Sequence, residues 1–477
     1  MYIVKIITEK EKLSVKYKEK ALVSDILKQA GPSLDMPCGG KGTCGKCRVK
    51  VDDKIVAACQ TYLENDACVY LNTENQELHS VTLNNLHTDY SKEKIGMAAD
   101  IGTTTICAAF YDMVSGKKLY EQTEKNPQTQ FGADVLTRIE HAKSGGLAKL
   151  CILVNEQIEK IKQIFGGKIS ASVICGNTTM LHLFAEIDPT SMGAFPFTPK
   201  ELFGKSVGGS YIPRCVSAFV GADVVCAVLA SGMASEEKTS LLIDLGTNGE
   251  IVLKKAGEAE LFSVSTAAGP AFEGATIYQG MLSTAGAINT VRLNRSLVEF
   301  ETIGNAAEIG ICGSGLIDAV AVFLQLGLID ETGTIIEKNS PYIGKFEGAP
   351  CLKLGNVILT GRDIRQMQLS KSAIRAGIET LLAESDVSTV ENLYIAGAFG
   401  TYIDLQNSEK IGLIPTGFTE KTICLGNAAL TGASDILLND DAKHFAESLA
   451  DNIKIVDLSG NNTFIEAYYA NMVFEKN

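Results

Sequence analysis

The chain has 477 residues, too many for one hydrophobic core, so two or three domains are expected. Its 45% hydrophobic and 21% charged residues are typical of a globular α/β protein and exclude a disordered or fibrous chain. The net charge of −13 argues against a large nucleic-acid-binding surface, and no apolar run is long enough to span a bilayer.

Residues 1–88 are predicted to form a small β-grasp domain. The alternating segments MYIVKII and KLSVKY predict strands, and SDILKQAG predicts a helix with Ser24 as its N-cap and Gly31 at its end. RVKVDD, IVAAC and ACVYL predict further short strands. Because the first residues lack the apolar segment of a signal peptide, we expect a cytoplasmic protein.

Four cysteines, Cys38, Cys44, Cys47 and Cys59, follow the predicted helix with spacings of x5, x2 and x11. Thiolates are ligands for zinc and for iron–sulfur clusters, but a zinc ribbon needs two CxxC pairs and only one is present. The pattern is closer to the C-x4-C-x2-C…C of plant-type ferredoxins. The intervening glycines would let backbone N–H groups approach bridging sulfides. We therefore predict a 2Fe–2S cluster, with zinc or unliganded thiols as the alternatives.

The other nine cysteines are scattered, which predicts buried free thiols and not disulfides. Cys68 is predicted to be one of them, because the four ligand positions are already filled. Four basic residues surround the cluster loop: Lys41, Lys46, Arg48 and Lys50. They predict either a solvated rim or a docking face for an acidic electron donor.

After a predicted linker at residues 89–96, two apolar strands each end in Asp followed by Gly-Thr. They are AADIGTTTICAAF, with Asp100, and LLIDLGTNGEIVL, with Asp244. A phosphate tail with Mg²⁺ needs backbone N–H groups, hydroxyls and a carboxylate, all of which this pattern supplies. One copy alone is compatible with a hairpin turn. Two copies predict similar lobes, lobe I at residues 97–236 and lobe II at 237–477, with the last helix in lobe II or returning to lobe I.

AADIGTTT resembles the first phosphate motif of the actin, sugar-kinase and heat-shock ATPase superfamily, and LIDLGTNGE resembles the second. VENLYIAGAFG is similar to its adenosine motif, and VICGNTTM and LGNAALTGA to its connecting segments. The resemblance implies a two-lobed, ribonuclease H-like ATPase in which Asp100 organises Mg²⁺ through water and Asp244 acts near the γ-phosphate. The nucleotide-binding residues that it implies are Gly102, Thr103, Thr104, Thr105, Asn177, Gly246, Thr247, Asn248, Gly397 and Gly400.

Further segments extend the resemblance over nearly the whole chain: NPQTQFGADVLTRI, GNTTMLHLFAEIDP, AAGPAFEGATIYQGM, EIGICGSGLIDAV and GAFGTYIDLQNSEKIGLIP. Together with the cysteine loop, they are similar to the ATP-dependent reductive activators of corrinoid proteins. Glu273, in GPAFEG, either reaches the nucleotide or its water as a catalytic residue, or caps a turn. Gly313 and Gly315 either offer N–H groups to an anion or allow close strand–helix packing. Cys312 and His182 are interpreted as packed core residues.

This resemblance implies three cofactors, a 2Fe–2S cluster, ATP and Mg²⁺. It also implies that an electron passes from a low-potential donor such as a ferredoxin, through the cluster, to the inactive Co(II) corrinoid of a methyl-transfer protein. That transient partner would return to Co(I), and the activator is expected to be a homodimer. The alternatives are a metabolite kinase or a non-catalytic electron carrier with an appended ferredoxin domain. An activator of a radical dehydratase is disfavoured, because the ATPase lobes show no matching cysteine pair.

Overall fold

The computed structural model describes residues 2–8, 12–17, 20–30, 34, 47–52, 54–71, 94–397 and 403–475. Within these ranges, every helix is too short or too polar to cross a bilayer. The first unit is a five-stranded sheet with one helix. Its elements are β1 (Tyr2–Ile7), β2 (Lys12–Tyr17), β3 (Ala21–Leu22), α1 (Val23–Ala30), β4 (Arg48–Val51), β5 (Lys54–Ala57), β6 (Tyr62–Leu63) and β7 (Ala67–Tyr70).

The sheet has the order β2-β1-β7-β4-β5, with β1 and β7 parallel and the other pairs antiparallel. Alternate residues of β1 point to the core, where Val4 and Ile6 join Leu27 of α1. This confirms the β-grasp prediction. The predicted N-cap was wrong, because α1 begins at Val23 and Ser24 lies inside the first turn. The N–H of Ser24 donates to the Ala58 carbonyl at 3.1 Å. Gly31 lies outside the described residues.

Lobe I is built on a six-stranded sheet with the order β10-β9-β8-β11-β13-β12. Its elements are β8 (Ile95–Ile101), β9 (Thr105–Asp112), β10 (Lys118–Lys125), α2 (Val135–His141), α3 (Leu147–Phe165), β11 (Ile169–Gly176), α4 (Thr178–Phe184), β12 (Lys205–Val207), β13 (Ser210–Ile212) and α5 (Ala222–Ser231). β8 is buried at nearly every position, as expected for a central strand with both faces covered.

Lobe II begins with β14 (Ser240–Leu245), β15 (Gly249–Lys254), β16 (Leu261–Thr266), β17 (Ala287–Asn294), β18 (Leu297–Thr302), β19 (Gly310–Ile311), α6 (Gly313–Gln325), β20 (Ile343–Phe346), β21 (Ala349–Leu354), β22 (Val357–Thr360) and α7 (Gly361–Glu384). It continues with β23 (Asn392–Ala396), α8 (Leu405–Lys410), β24 (Thr422–Gly426), α9 (Ala428–Leu438), α10 (Asp440–Asn452), β25 (Ile453–Ile455) and α11 (Asn462–Ala470). Its main sheet has the order β24-β23-β14-β15-β16-β25.

The two main sheets repeat one topology. Each has a three-stranded antiparallel meander, β8 to β10 or β14 to β16, whose first strand pairs in parallel with a later strand, β11 or β23. Asp100 therefore lies opposite Cys175, and Asp244 opposite Ala396, at the same edge of equivalent sheets. The predicted internal repeat and the two-lobed actin-like fold are confirmed.

Two later helices complete the core of lobe I. α9 and α10 pack against α5, and α9 also packs on β8, whereas the last helix, α11, packs on α7 of lobe II. Six of the nine scattered cysteines are buried among these elements and none of the nine is in a disulfide, which confirms the interpretation as core thiols for most of them. The exact domain boundaries stay a prediction.

The approach of α9 to α5 requires a glycine at position 432. A Cβ atom added to Gly432 would lie 2.0 Å from the backbone oxygen of Cys226. Gly432→Ala is therefore expected to destabilise the protein by roughly 1–3 kcal/mol, because the two helices must move apart. The measurement is thermal unfolding of the nucleotide-free protein. The matched control is Gly361→Ala at the start of α7, where the added Cβ has no neighbour within 4 Å. Equal unfolding temperatures for the two variants would contradict this packing.

Candidate functional site

The described part of the cysteine cluster consists of Cys47 and Cys59. Both are buried, and their Sγ atoms are 3.3 Å apart. This separation is too long for a disulfide, and it suits two thiolates that ligate one metal centre. The N–H of Ala58 donates to the Cys47 carbonyl at 2.9 Å and fixes the two segments together. Cys38 and Cys44 lie outside the described residues.

The two Asp-Gly-Thr loops meet at one cavity of about 410 Å³. The first loop follows β8 and the second follows β14, so equivalent strand ends face each other across the space between the lobes. Gly400 lies outside the described residues, and Gly313 and Gly315 are not among the lining residues. The predicted residues that the structure brings to the cavity wall are Asp100, Gly102, Thr103, Thr104, Thr105, Asn177, Asp244, Gly246, Thr247, Asn248, Glu273 and Gly397.

Glu273 joins the two loops directly. Its Oε2 atom accepts a hydrogen bond from Thr104 Oγ1 of the first loop and another, at 2.7 Å, from Thr247 Oγ1 of the second. Its carboxylate therefore spans the cleft and faces the cavity. A phosphate group entering between the loops would compete for the same two hydroxyl donors.

Two asparagines support the first loop in the same way. Asn177 caps α4 by accepting from Met180 N–H at 2.9 Å, while its amide donates to Thr103 Oγ1 at 3.2 Å. Asn427 caps α9 by accepting from Leu430 N–H, and its amide donates to Asp100 Oδ2 at 3.1 Å. Both asparagines lie in the segments that resemble the connecting motifs, VICGNTTM and LGNAALTGA, but the resemblance implied a nucleotide-binding role only for Asn177.

Arg138 is a further supporting residue that the sequence did not identify, although it lies in NPQTQFGADVLTRI. It is fully buried, donates to the Thr103 carbonyl and to Gln128 Oε1, and places a positive charge near Glu273. Asn126 donates to the Gly102 carbonyl at 2.8 Å from the same side. The carbonyl groups of the first phosphate loop are thus held by polar side chains.

The glycines have different roles. Gly397 has a φ of 99°, and a Cβ atom there would lie 2.6 Å from the Leu245 carbonyl and 3.0 Å from Asp244 Oδ1, so this glycine supports the second loop. At Gly315, a Cβ atom would lie 2.2 Å from the Ile288 carbonyl, which matches the close-packing alternative. His182 is buried, with Nδ1 2.8 Å from the Thr178 carbonyl, and is confirmed as a packed residue.

Three further carboxylates line the cavity and were missed: Glu121 on β10, Asp223 and Glu250. Asp223 lies in the first turn of α5, and Glu250 lies directly opposite Asp244 in the β14–β15 hairpin. Residues paired across an antiparallel ladder point to the same face, so the Asp244 prediction and the hairpin pattern together could have identified Glu250. No local signal marks Asp223.

The carboxylates around the cavity raise one another's proton affinity. Burial raises the pKa of Asp100 to about 6, that of Asp244 to about 7 and that of Asp223 to about 8. The negative charge of Asp100 further raises the pKa values of Asp223 and Asp244. The pKa values of Glu250 and Glu273 are also raised, mainly by burial. Like charges in a site shielded from water favour protonation or a bound cation.

The oxygen donors around the cavity fit Mg²⁺ bound together with a nucleotide. Carboxylate and hydroxyl oxygens are the ligands that this hard cation prefers, and it usually keeps waters and takes only one or two protein carboxylates. In keeping with this, no group of three or more potential ligands among the described residues is arranged to hold a metal ion alone. Phosphate and water would have to complete the coordination.

Comparison with known proteins agrees with this geometry. A 2Fe–2S iron-sulfur cluster binding domain matches residues 7–71, the RACo middle region matches residues 95–236, and the C-terminal domain of RACo, the ASKHA domain, matches residues 238–477. The corrinoid activation enzyme RamQ of Eubacterium limosum is 30% identical, with 96% of this chain and 97% of that protein covered. The chain belongs to the family of reductive activators of corrinoid proteins.

Two other relatives of this activator extend the comparison. The Co(II) methylated amine-specific corrinoid protein reductase of Methanosarcina barkeri is 26% identical over 77% of this chain and 75% of its own length. The solved structure of a reductive activator for corrinoid, iron-sulfur protein has a TM-score of 0.74 at 29% identity, with 99% of this chain and 98% of that chain covered. The family assignment confirms two predicted cofactors of the activator, the 2Fe–2S cluster and ATP.

The cluster ligands are tested by exchanging one thiol. Cys47→Ser is expected to remove most of the bound iron and sulfide and the visible absorption of the anaerobically prepared activator, because serine is a poor ligand for this cluster. Cys68→Ser on β7 is the matched control and should keep iron, sulfide and absorption. An unchanged iron content in the Cys47 variant, or zinc in the wild-type protein, would contradict the assignment.

The repulsion within the cleft predicts a pH dependence of stability. The folded state binds more protons than the unfolded state between pH 4 and pH 8, because the carboxyl pKa values are raised on folding, so stability falls as pH rises through this range. Asp223→Asn is expected to reduce the loss of stability between pH 6 and pH 8 by about 1 kcal/mol. The measurement is thermal unfolding of the nucleotide-free protein at both pH values. Asp386→Asn, an exposed site in lobe II, should follow the wild type.

Proposed function

We propose that this chain uses ATP to drive an electron from a low-potential donor, such as a ferredoxin, through its 2Fe–2S cluster to the inactive Co(II) corrinoid of a methyl-transfer protein. The product is the Co(I) form, which accepts a methyl group again. The relatives carry the corrinoid part of this proposal, since they are a corrinoid activation enzyme and a corrinoid protein reductase. The corrinoid protein is a transient partner of this chain.

The observation that carries the ATP coupling is the position of Glu273 between the two phosphate loops. Its two threonine donors come from different lobes, so a phosphate tail that replaces Glu273 as their acceptor would contact both lobes at once. ATP binding would then favour one angle between the lobes, and hydrolysis would remove that preference. The closed form would bind the Co(II) protein and assist the transfer of the electron.

Coupling to ATP is required when the acceptor lies below the potential of the donor. Plant-type 2Fe–2S clusters have potentials near about −400 mV. An acceptor about 100 mV lower costs about 2.3 kcal/mol per electron. The free energy of ATP binding and hydrolysis is large enough to offset this cost. A ferredoxin domain alone has no such source of free energy.

The carboxylates have separate roles in this proposal. Asp100, whose orientation is fixed by Asn427, would hold Mg²⁺ through water. Asp244 lies near the end of β14, just before the second loop, and would orient the attacking water near the γ-phosphate. Asp223 and Glu250 add negative charge beside Asp244 and favour the cation. A homodimer and a cytoplasmic location stay predictions.

Asp244→Asn tests the coupling. Removal of this carboxylate is expected to lower ATP hydrolysis roughly a hundredfold or more, as for loss of a group that positions the nucleophile, while the cluster absorption is unchanged. Formation of Co(I) by the variant should fall in parallel. The measurement is the anaerobic conversion of Co(II) to Co(I) in a corrinoid protein, followed by its visible spectrum together with phosphate release.

The matched control is Asp386→Asn, the same chemical change at an exposed position of lobe II outside the cavity wall. It should retain wild-type hydrolysis and reduction. The proposal is contradicted by an Asp244 variant that no longer hydrolyses ATP yet forms Co(I) at the wild-type rate over many turnovers. Phosphorylation of a small metabolite by the wild type would instead favour the kinase alternative.

A further inference from the structure

The ferredoxin domain contacts lobe II through the residue next to a cluster cysteine. Arg48 follows Cys47 and begins β4. Its Nη2 atom is 3.6 Å from Glu347 Oε1, and its guanidinium lies 6.0 Å from the centre of the Tyr278 ring. The Tyr278 ring in turn packs on Phe346, with 4.7 Å between ring centres. Arg48 is therefore engaged with lobe II, and not with solvent alone as a rim residue would be.

Tyr278 belongs to the same short loop as Glu273. Backbone hydrogen bonds close this loop on itself, from Gly274 to Ala271 at 3.0 Å and from Gly280 to Ile277 at 3.1 Å. The N–H of Tyr278 also donates to Asp363 at the start of α7, at 2.7 Å. These bonds form a turn at each end of the segment that joins the carboxylate in the cleft to the ring beneath Arg48, and Tyr278 is also anchored to α7. Only four residues separate Glu273 from Tyr278, so this segment is a short covalent route from the cleft to the surface beneath Arg48.

A second contact links the ferredoxin domain to lobe I. The Lys28 ammonium of α1 lies 5.8 Å from the centre of the Phe131 ring. Phe131 ends the 3₁₀ helix Pro127–Phe131, which Asn126 caps. Asn126 is bonded to both ends of the first phosphate loop, by its side chain to the Gly102 carbonyl and by its N–H to the Thr104 carbonyl, each at 2.8 Å. Each lobe therefore reaches the ferredoxin domain from a segment attached to a phosphate loop.

The ion pair between the ferredoxin domain and lobe II is open to solvent. The side chains of Arg48 and Glu347 remain 45% and 65% exposed, and a cavity of about 610 Å³ lies between them and the start of α7. Exposed ion pairs contribute little to stability, so this contact is readily made and broken. It is suited to a domain that changes position.

We propose that the loop from Glu273 to Tyr278 transmits the state of the nucleotide cleft to the ferredoxin domain, and that Arg48 is the positioning residue that receives it. The inference rests on the proposed ATP-driven reduction and names the route of coupling within it. When phosphates replace Glu273 as the acceptor for Thr104 and Thr247, the loop shifts, and the surface beneath Arg48 shifts with it. The domain that carries Cys47 is then held in a different position on the two lobes.

Hydrogen exchange on the cluster-loaded protein tests this without a corrinoid partner. A non-hydrolysable ATP analogue with Mg²⁺ is expected to change the exchange rates of residues 270–281 and of residues 48–57 by at least threefold each in the wild type. In Arg48→Ala the change at residues 270–281 should remain, while that at 48–57 should be lost. Glu347→Gln, which leaves the cluster domain unaltered, should reproduce the loss.

Lys50→Ala is the matched control, because Lys50 lies two residues along β4 and contacts Tyr70 within its own domain. It should respond to nucleotide as the wild type does. A response at 270–281 with none at 48–57 in the wild type would overturn the inference and leave the proposed function intact. A full response at residues 48–57 in both the Arg48 and the Glu347 variant would also overturn the inference and leave the proposed function intact. No response at 270–281 would overturn the proposed nucleotide role, and this inference with it.

The second measurement is the number of Co(I) centres formed per ATP hydrolysed. Arg48→Ala and Glu347→Gln are expected to lower this ratio at least threefold, with nucleotide affinity and the hydrolysis rate within twofold of the wild type. A purely structural role would lower both rates together and leave the ratio unchanged. An unchanged ratio in both variants would overturn the inference.

Discussion

The geometry of the cleft depends on one carboxylate that accepts hydrogen bonds from both lobes. Glu273 is held by Thr104 and Thr247, so the two Asp-Gly-Thr loops are joined through a protein side chain. Because a hydroxyl donates only one proton, each threonine serves either Glu273 or a phosphate oxygen. In the proposed function, nucleotide binding is an exchange of acceptors, and the position of Glu273 would change with the occupant of the cleft.

Because of the surrounding carboxylates, this exchange of hydrogen-bond acceptors depends on the charge within the cavity. Asp100, Asp244, Asp223 and Glu250 lie around the same cavity, and burial together with their mutual repulsion raises their pKa values. A cluster of this kind is costly to keep ionised, since each carboxylate loses water and gains a like-charged neighbour. A divalent cation would relieve that cost, which is the reason that Mg²⁺ is proposed to bind together with the nucleotide. The buried Arg138 offsets part of the charge, but it does so beneath the first loop and leaves the cavity negative.

Local patterns were sufficient to predict the parts of the site that are contiguous in sequence. Strand periodicity followed by Asp-Gly-Thr predicted the two loops that meet at the cavity, and cysteine spacing predicted four cluster ligands, of which Cys47 and Cys59 lie within the described residues. Residues whose role arises from long-range packing were missed: the amide of Asn427 reaches Asp100 across 327 positions, and Asp223 enters the site only because α5 begins beside both loops. The misplaced cap at Ser24 also has a tertiary cause: α1 begins two residues earlier than predicted, where the Ser24 N–H is paired with the Ala58 carbonyl.

The contacts of the ferredoxin domain explain why an electron carrier and an ATPase share one chain. A cluster domain fixed to one lobe would follow that lobe and would not register a change in the angle between them. Here Lys28 contacts a segment bonded to the first phosphate loop, and Arg48 contacts the loop that carries Glu273. In the proposed coupling, a rotation of the lobes would change the distance between these two supports, and a rigid β-grasp domain could not follow both. Because each contact is exposed and weak, one would be released at little cost. The position of the cluster would then be linked to the state of the cleft.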